Sequence, residues 1–405
     1  MRRFERSKRL LLVGSMLVVA LFSDGLLTFA QQRAEPELMW EMRFEEGKPQ
    51  VVRNEVARLK REGKAEKFPL KAMANQKEKK VVWFDEEGKV REEKAFEDAK
   101  RLLVSRDGKF FGVARREFHE GSFELEYFDE QGRSLWKEWI GDVIYMSPTG
   151  ETVVGGDIMY GEHLTFVDSQ GAVRKYEDFG GGFRPVFSAD GRYVFCSIYQ
   201  KDNRSVALFD SKGNMLWKRY DAPINQLFFN DVAIASDGKY IAVARRVDRM
   251  SRTTYYVSVL DIAGNILWEK PSERVYDLEF SEDGKQIAVL KKTKNKQVKA
   301  IWILRAADGK EVTAFQAASP QDMRHLRYHL YLLNGGKCLF GIYGKSKDGS
   351  RIFDLRLHDS KGEQLWDVSL PVDVSEDVGL ISYGKAIAVK LGSSSKVFMF
   401  SGIDQ

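Results

Sequence analysis

The segment ASDGKYIAVA, residues 235–244, holds the pattern that decides the fold. A turn that ends at Gly238 is followed by Ile241 and Val243, apolar residues two positions apart. Because side chains alternate between the two faces of a β-strand, this spacing predicts a turn followed by a strand with one buried face. Six other segments repeat the pattern along the chain. They are SRDGKFFGVA (105–114), SPTGETVVGG (147–156), SADGRYVFCS (188–197), SEDGKQIAVL (281–290), LNGGKCLFGI (333–342) and ISYGKAIAVK (381–390).

A second pattern, Asp-x-x-Gly at a strand end, alternates with the first. It predicts a tight hairpin in which Asp accepts backbone hydrogen bonds and Gly takes a positive φ. The copies are WFDEEG (83–88), YFDEQG (127–132), FVDSQG (166–171), LFDSKG (208–213), VLDIAG (259–264), LHDSKG (357–362) and the degenerate ILRAADG (303–309). Consecutive glycines stand 39 residues apart at the least, from Gly132 to Gly171, and 53 at the most, from Gly309 to Gly362. Each unit therefore holds two hairpins, or four strands, which is typical of a β-propeller blade.

Seven copies of the turn-and-strand pattern predict an all-β fold, a seven-bladed β-propeller of four-stranded antiparallel blades over residues 80–405. The last unit begins at Val378 and lacks an outer strand. The hairpin of Val81–Phe84 and Lys89–Phe96 precedes the first complete unit, so we expect it to complete the last blade and close the ring. An eight-bladed ring is the minor alternative, because one strand is apparently duplicated.

Four tryptophans each follow a hairpin glycine by four residues, in the pattern D-x-x-G-x-x-L-W. This pattern resembles the repeat of the pyrroloquinoline-quinone-like propellers. The S-x-D-G-x-x-I-A-V pattern is similar to the WD-like repeats of the periplasmic Tol-system propeller family. The resemblance covers residues 80–405 and implies the fold, whereas propellers host many unrelated activities. We expect the tryptophans to be packing anchors between blades: Trp136, Trp217, Trp268 and Trp366. Three units carry other residues at this position: Glu92, Lys175 and Thr313.

Residues 1–30 have the composition of a secretory signal peptide. A basic segment from Arg2 to Arg9 precedes the 13-residue apolar run Leu10–Phe22, and Thr28-Phe29-Ala30 suits a cleavage site. A permanent transmembrane helix needs about 20 residues, so we expect cleavage near Ala30. An uncleaved N-terminal anchor is the alternative, and it would be the chain's only membrane contact. The protein is therefore expected to be periplasmic or secreted.

Residues 31–79, rich in Lys and Glu, are expected to form an extension that packs on the ring or tethers it. The alternation of apolar residues from Leu38 to Phe44 predicts a short strand. Apolar residues from Val52 to Leu59 share one helical face, and Gly63 can end that helix.

The two cysteines are expected to stay unpaired. Cys196 and Cys338 belong to the third and sixth units, which are not neighbours in a ring. Cys196 falls on the core face of its strand, whereas Cys338 is one step out of phase and should point to the opposite face. A disulfide needs Cα atoms within about 7 Å of each other.

The sequence offers no catalytic constellation. His325 and His329 lie on one side of their element, but no third metal ligand accompanies them. Gly180–Gly182 lacks the Lys and Ser or Thr of a phosphate-binding loop. We therefore assign no catalytic residue, no metal ligand and no cofactor. A quinoprotein-like oxidoreductase that uses the central channel is the alternative function.

The positions of the charged residues along the chain are more informative than their overall balance. The whole chain has 64 Lys and Arg against 59 Asp and Glu, and without residues 1–30 the counts are 59 and 57. This balance gives no support for nucleic-acid binding. The connections between the second and third strands of the fourth, fifth and sixth units, however, hold 12 basic residues and two acidic ones. The basic residues are Arg245, Arg246, Arg249, Arg252, Lys291, Lys292, Lys294, Lys296, Lys299, Lys345, Lys347 and Arg351.

These connections should lie side by side on one face of the ring and form a basic arc. The expected function is therefore that of a monomeric binding or scaffolding propeller, whose partner is another protein or an anionic envelope component. The competing interpretation is a merely soluble edge, because Lys-rich hairpin loops also keep exposed strand edges from aggregating.

Overall fold

The computed structural model describes the chain from residue 37 to residue 401, with gaps. The described ranges are 37–45, 48–52, 72–75, 78–85, 90–105, 108–116, 122–156, 163–177, 179, 183–199, 204–219, 227–249, 252–293, 298–318, 324–372, 378–383, 386–391 and 396–401. Within them the chain consists of antiparallel strands and turns, with one short 3-10 helix at Asn334–Gly336. The expected leader lies outside the described residues.

The strands form eight sheets, which are numbered along the chain. The last of them, sheet 8, also contains the first two strands of the chain, β1 (Glu37–Glu45) and β2 (Lys48–Val52). Sheet 1 contains β3 (Ala72–Asn75), β4 (Lys80–Phe84) and β5 (Val90–Ala95). Sheet 2 contains β6 (Arg101–Val104), β7 (Phe110–Arg116), β8 (Phe123–Asp129) and β9 (Ser134–Gly141). Sheet 3 contains β10 (Val143–Met146), β11 (Thr152–Gly156), β12 (His163–Asp168) and β13 (Val173–Glu177). Sheet 4 contains β14 (Phe183–Phe187), β15 (Tyr193–Tyr199), β16 (Arg204–Asp210) and β17 (Met215–Arg219).

The remaining sheets follow the same order of strands. Sheet 5 contains β18 (Leu227–Ile234), β19 (Tyr240–Arg249), β20 (Arg252–Asp261) and β21 (Ile266–Ser272). Sheet 6 contains β22 (Val275–Phe280), β23 (Gln286–Lys292), β24 (Val298–Arg305) and β25 (Glu311–Ala318). Sheet 7 contains β26 (Arg324–Leu332), β27 (Cys338–Lys345), β28 (Arg351–His358) and β29 (Gln364–Val372). Sheet 8 contains β30 (Val378–Tyr383), β31 (Ala386–Leu391) and β32 (Lys396–Ser401), and then β1 and β2.

The all-β propeller of four-stranded antiparallel blades is confirmed. Sheets 2 to 7 have four strands each and sheet 8 has five, which gives the seven blades that the repeats predict. Sheet 1 is an additional sheet of three strands. The described residues therefore form eight sheets, which is also the number of blades in the eight-bladed alternative. Sheet 1, however, has only three strands among these residues.

The hairpin expected to close the ring is not the one that joins the last blade. The expected hairpin, β4 with β5, forms sheet 1 and buries Trp83 against Phe111 of sheet 2. Strand β1 pairs instead with β32, with Trp40 opposite Met399, and β2 pairs with β1. An N-terminal hairpin thus completes the C-terminal sheet, but it comes from the segment assigned to the extension.

This pairing also confirms the strand predicted from Leu38 to Phe44, since it lies within β1. Strands of the sheets therefore begin before the boundary expected at residue 80. Val52 ends β2, and the rest of the helix expected up to Leu59 lies outside the described residues.

The core lies between consecutive sheets, because each strand sends alternate side chains to its two neighbours. Between sheets 4 and 5, for example, Phe195 and Leu208 pack against Ile241 and Leu260, all nearly inaccessible to solvent. Corresponding apolar clusters lie at each interface from sheets 1 and 2 to sheets 6 and 7. The sheets therefore stack in chain order, as blades do.

The expected role of the tryptophans as packing anchors is confirmed for Trp217 and Trp268. Trp268 on the outer strand β21 donates a hydrogen bond from Nε1 to the carbonyl of Ala306 at 2.7 Å, in the hairpin turn of the next sheet. Trp217 makes the same bond to Ile262 at 2.8 Å. Where Lys175 replaces Trp, the next residue, Tyr176, donates a hydrogen bond to the carbonyl of Gly213 at 2.6 Å. An outer-strand aromatic residue therefore links each of these sheets to its successor.

The cysteines are free and buried, as predicted, but the orientation expected for Cys338 is wrong. Cys196 faces sheet 3, the sheet before its own, and Cys338 likewise faces the sheet before its own, sheet 6. The cause is a turn that is one residue shorter: the amide of Leu333 bonds to the carbonyl of Lys337, whereas the equivalent bond in sheet 6 joins Ser281 to Gln286. Because this turn is one residue shorter, Cys338 faces the preceding sheet, as Cys196 does. The two thiols lie in different interfaces, and burial raises the pKa of both.

Candidate binding face

The predicted basic residues lie on three equivalent hairpins, β19–β20, β23–β24 and β27–β28. The three hairpins extend from the same end of sheets 5, 6 and 7, because each sheet repeats one strand order and its first strand lies beside that of the next sheet. Most of these residues were expected in loops but lie in strands. Those within strands are Arg245, Arg246, Arg249, Arg252, Lys291, Lys292, Lys299, Lys345 and Arg351. Lys294 and Lys296 lie outside the described residues, as do the side chains of Arg249 and Arg252.

Arg245 is engaged within its own sheet. Its guanidinium forms an ion pair with Glu269 and lies 4.9 Å from the centre of the Tyr256 ring. Ser258 donates a second hydrogen bond to the Glu269 carboxylate at 2.8 Å. With 11% of its side chain exposed, Arg245 contributes mainly to the packing of sheet 5.

Lys291 lies over an aromatic ring. Its ammonium is 3.5 Å from the centre of the Trp302 ring, and the ammonium of Lys270 from sheet 5 is 6.0 Å from the same centre. The indole N–H of Trp302 bonds to the Glu311 carboxylate. Burial lowers the pKa of Lys291, and the nearby carboxylates of Glu311 and Glu273 oppose that effect.

Lys299 is the clearest departure from the sequence prediction. It was expected in a loop, but it lies in β24 and only 3% of it is exposed. Its ammonium lies 5.2 Å from the ring centre of Tyr276 and 5.1 Å from that of Tyr328. Cation–π attraction favours a lysine enclosed in this way between two tyrosine rings.

The remaining members of the set face solvent to a larger extent. Lys292, Lys345 and Lys347 are exposed, whereas Arg246 and Arg351 are half-buried. We call these five residues the basic face. Asp348, in the hairpin of sheet 7, accepts hydrogen bonds from the backbone and side chain of Ser350 at 3.0 and 2.7 Å. Hydrogen bonds from Ser346 and Ser350 lower the pKa of Asp348 to about 2.

The prediction missed one basic residue of this surface, Arg274. This exposed residue lies between β21 and β22, and its carbonyl accepts a hydrogen bond from the amide of Lys292 at 2.8 Å. Its guanidinium lies 5.5 Å from the Tyr276 ring centre. The prediction considered only connections between second and third strands, although the first strand of each sheet begins at the same end. The sequence signal was the Arg274-Val-Tyr276 triplet at the start of a strand.

The interface between sheets 6 and 7 holds buried polar groups beside its apolar cluster. Asp277 accepts hydrogen bonds from the amides of Leu330 and Leu278, both at 3.0 Å, and burial raises its pKa to about 7. Asp354, 4% exposed, accepts hydrogen bonds from Arg356 at 2.7 Å and Ser369 at 2.9 Å.

Two further observations concern ligands and membranes. In the part of the chain that the structure describes, no group of three or more His, Cys, Asp and Glu residues could hold a metal ion. His325 and His329 lie on β26, the first strand of sheet 7. No helix among the described residues is long and apolar enough to cross a membrane.

No family model and no curated protein matches the sequence. Among solved structures, the chain is similar to a eukaryotic initiation factor, with 12% identity over 82% of this chain and 96% of that chain and a TM-score of 0.47. It is similar to the Dos1 propeller, with 11% identity over 83% and 92% of the two chains and a TM-score of 0.46. It is also similar to TolB from Acinetobacter baumannii, with 18% identity over 62% and 63% and a TM-score of 0.32. Because these TM-scores are below 0.5, the fold assignment rests on the sheets themselves.

Proposed function

We propose that this protein is an exported binding or scaffolding propeller whose basic face holds an anionic partner of the cell envelope or the extracellular space. One observation carries the proposal: three consecutive sheets present exposed or half-buried basic residues at the same end. The members of the face are Arg246, Lys292, Lys345, Lys347 and Arg351.

Adjacent placement matters because the fields of like charges add over a shared surface. Carboxylates near these hairpins are already engaged, Glu269 by Arg245 and Asp348 by Ser350. The Arg245–Glu269 ion pair cancels its own charge, and the five basic residues of the face outnumber Asp348, which supports a positive potential there. An anionic partner would be attracted over roughly the Debye length, about 8 Å at physiological ionic strength.

Export is part of the proposal and has its own test. The basic segment, the short apolar run and the small residues around Ala30 support a cleaved leader. Mass spectrometry of the exported protein should find a chain that starts near Gln31. An intact Met1 on membrane-bound material would instead support an N-terminal anchor.

Binding is tested with the whole exported chain and three anionic probes: a poly-glutamate peptide, a sulfated polysaccharide and vesicles of anionic lipid. At least one probe should bind at low salt and be released at high salt, since exposed charges are screened. The triple variant Lys292→Gln, Lys345→Gln, Lys347→Gln should bind that probe more weakly.

The matched control removes three exposed lysines from the outer hairpin turns, Lys212, Lys310 and Lys361. It changes the net charge equally but leaves the basic face intact. Equal weakening by both triple variants would mean that only net charge matters, and the basic face would then be a soluble edge.

A further inference from the structure

Three cations converge at one corner of sheet 6. Lys292 and Lys299 are directly opposite each other on β23 and β24, and Arg274 is joined to Lys292 by a backbone hydrogen bond. Leu290 and Ile301 point toward sheet 7, so strand alternation turns both lysines to that side as well. Like charges directly opposite on a sheet are destabilising. We call Arg274, Lys292 and Lys299 the cationic corner.

Two tyrosine rings form the walls of this corner. The ring centres of Tyr276 and Tyr328 are 5.5 Å apart with an interplanar angle of 55°, and the Lys299 ammonium lies about equally far from both. Tyr328 also stacks on Phe340, with centres 5.9 Å apart and planes within 4°. Arg274 lies against Tyr276. The faces of both rings are therefore engaged by neighbouring side chains.

The covered ring faces and the burial of Lys299 distinguish between three kinds of anionic group: a sugar unit, a lipid surface and a carboxylate side chain. A sugar unit binds an aromatic ring by stacking on its face, and these ring faces are already covered. A flat bilayer surface would reach Lys292 and Arg274 but not Lys299, which is almost fully buried. A glutamate side chain is narrow and carries a single carboxylate, so it can approach the exposed Lys292 and Arg274 without stacking on a ring.

We propose that the cationic corner binds a carboxylate side chain from an acidic segment of a partner protein. The guanidinium of Arg274 offers the planar pair of donors that matches a carboxylate, and the lysines supply further charge-assisted hydrogen bonds. This assignment rests on the proposed function and names its partner.

The test measures binding of a fluorescein-labelled Glu-rich peptide to the whole exported chain by fluorescence anisotropy at low salt. The double variant Arg274→Gln, Lys292→Gln should weaken binding about tenfold, the effect of losing one or two charge-assisted hydrogen bonds. Both residues are exposed, so the variant should stay folded, and its circular dichroism and melting temperature verify this. The control Lys212→Gln, Lys361→Gln should change the affinity less than twofold.

Arg274→Lys adds a finer comparison, because it keeps the charge but loses the paired donors. Its affinity should lie between those of the parent and the double variant. Equal binding of the peptide by the parent and the folded double variant would overturn the corner as the site.

Competition with a sulfated polysaccharide and with anionic vesicles separates this inference from the proposed function. If either of these binds while the peptide does not, the proposed function stands and the protein partner is wrong. If none of the three probes binds, the proposed function itself fails.

Discussion

The carboxylate of Asp277 accepts a hydrogen bond from the backbone amide of Leu330 at 3.0 Å, and so joins the first strands of sheets 6 and 7. Its other oxygen accepts a hydrogen bond from Leu278 at 3.0 Å. Both bonds favour the charged form, but burial outweighs them and raises the pKa of Asp277 to about 7. This contact between two sheets therefore titrates near neutral pH.

Asp277→Asn should change how stability depends on pH. An unfolded aspartate has a pKa of about 3.9, so between about pH 4 and about pH 7 the folded state holds a proton that the unfolded state has released. This group makes the free energy of unfolding fall as the pH rises through that window. Asparagine does not titrate, so the stability of the variant relative to the parent should increase by up to about 4 kcal/mol from about pH 4 to about pH 7.

Urea unfolding of parent and variant at about pH 5 and about pH 8 measures the difference. At the lower pH the folded parent holds a carboxylic acid, whose two oxygens can both accept from the amides of Leu278 and Leu330, whereas the NH2 group of asparagine cannot accept, so the variant should be the less stable protein there. A difference in stability that is the same at both pH values would contradict the raised pKa.

Trp268→Ala should destabilise the protein by about 2 kcal/mol, less than the cost for a fully buried tryptophan. The substitution removes the packing of sheet 5 on the hairpin turn of sheet 6 and leaves the Ala306 carbonyl without its indole donor. The adjacent Leu267 is 45% exposed, so Leu267→Ala is the matched control and should change stability by about 0.5 kcal/mol or less. Equal effects in denaturant unfolding would mean that Trp268 is not an anchor.

Two glycines of the Asp-x-x-Gly turns separate backbone strain from packing. Gly213 and Gly132 have φ values of 73° and 74°. A Cβ atom at Gly213 would meet Phe166 at 2.6 Å, whereas at Gly132 nothing lies within 4 Å. Gly132→Ala should therefore cost about 1 kcal/mol for the left-handed backbone, and Gly213→Ala about 1–3 kcal/mol more for the clash. Thermal unfolding of both variants measures this, and similar melting temperatures would argue against tight contact between sheets 3 and 4.

The sequence was most informative where the deciding interactions are local. A turn and the strand after it specify their own geometry, so the seven repeats predicted the blades, and the spacing after each Gly predicted Trp217 and Trp268 as anchors. Pairing between distant segments was not predictable in this way. The strands at Glu37–Glu45 and Lys80–Phe84 are both rich in apolar residues, and only packing of the whole chain decides that the first pairs with β32.

Small changes in local geometry explain the other differences. The turn before Cys338 is one residue shorter than its equivalents, which moves every side chain of β27 to the other face. At the candidate face, the sequence predicted that the basic residues lie at one end of the sheets but could not separate the enclosed Lys299 from the exposed Lys292. That distinction depends on Tyr276 and Tyr328, which come from two different sheets.

Removing residues 1–52 should destabilise the protein far more than removing residues 1–30. The longer deletion takes away β1 and β2, so β32 would lose its partner and expose an unpaired strand edge. The shorter deletion leaves both strands in place. Hydrogen exchange gives the local measurement: amides of Val397 and Met399 should lose protection in the longer deletion, while those of Ile241 and Val243 in sheet 5 keep more of theirs. If the two deletions melt at the same temperature, β1 does not complete the last blade.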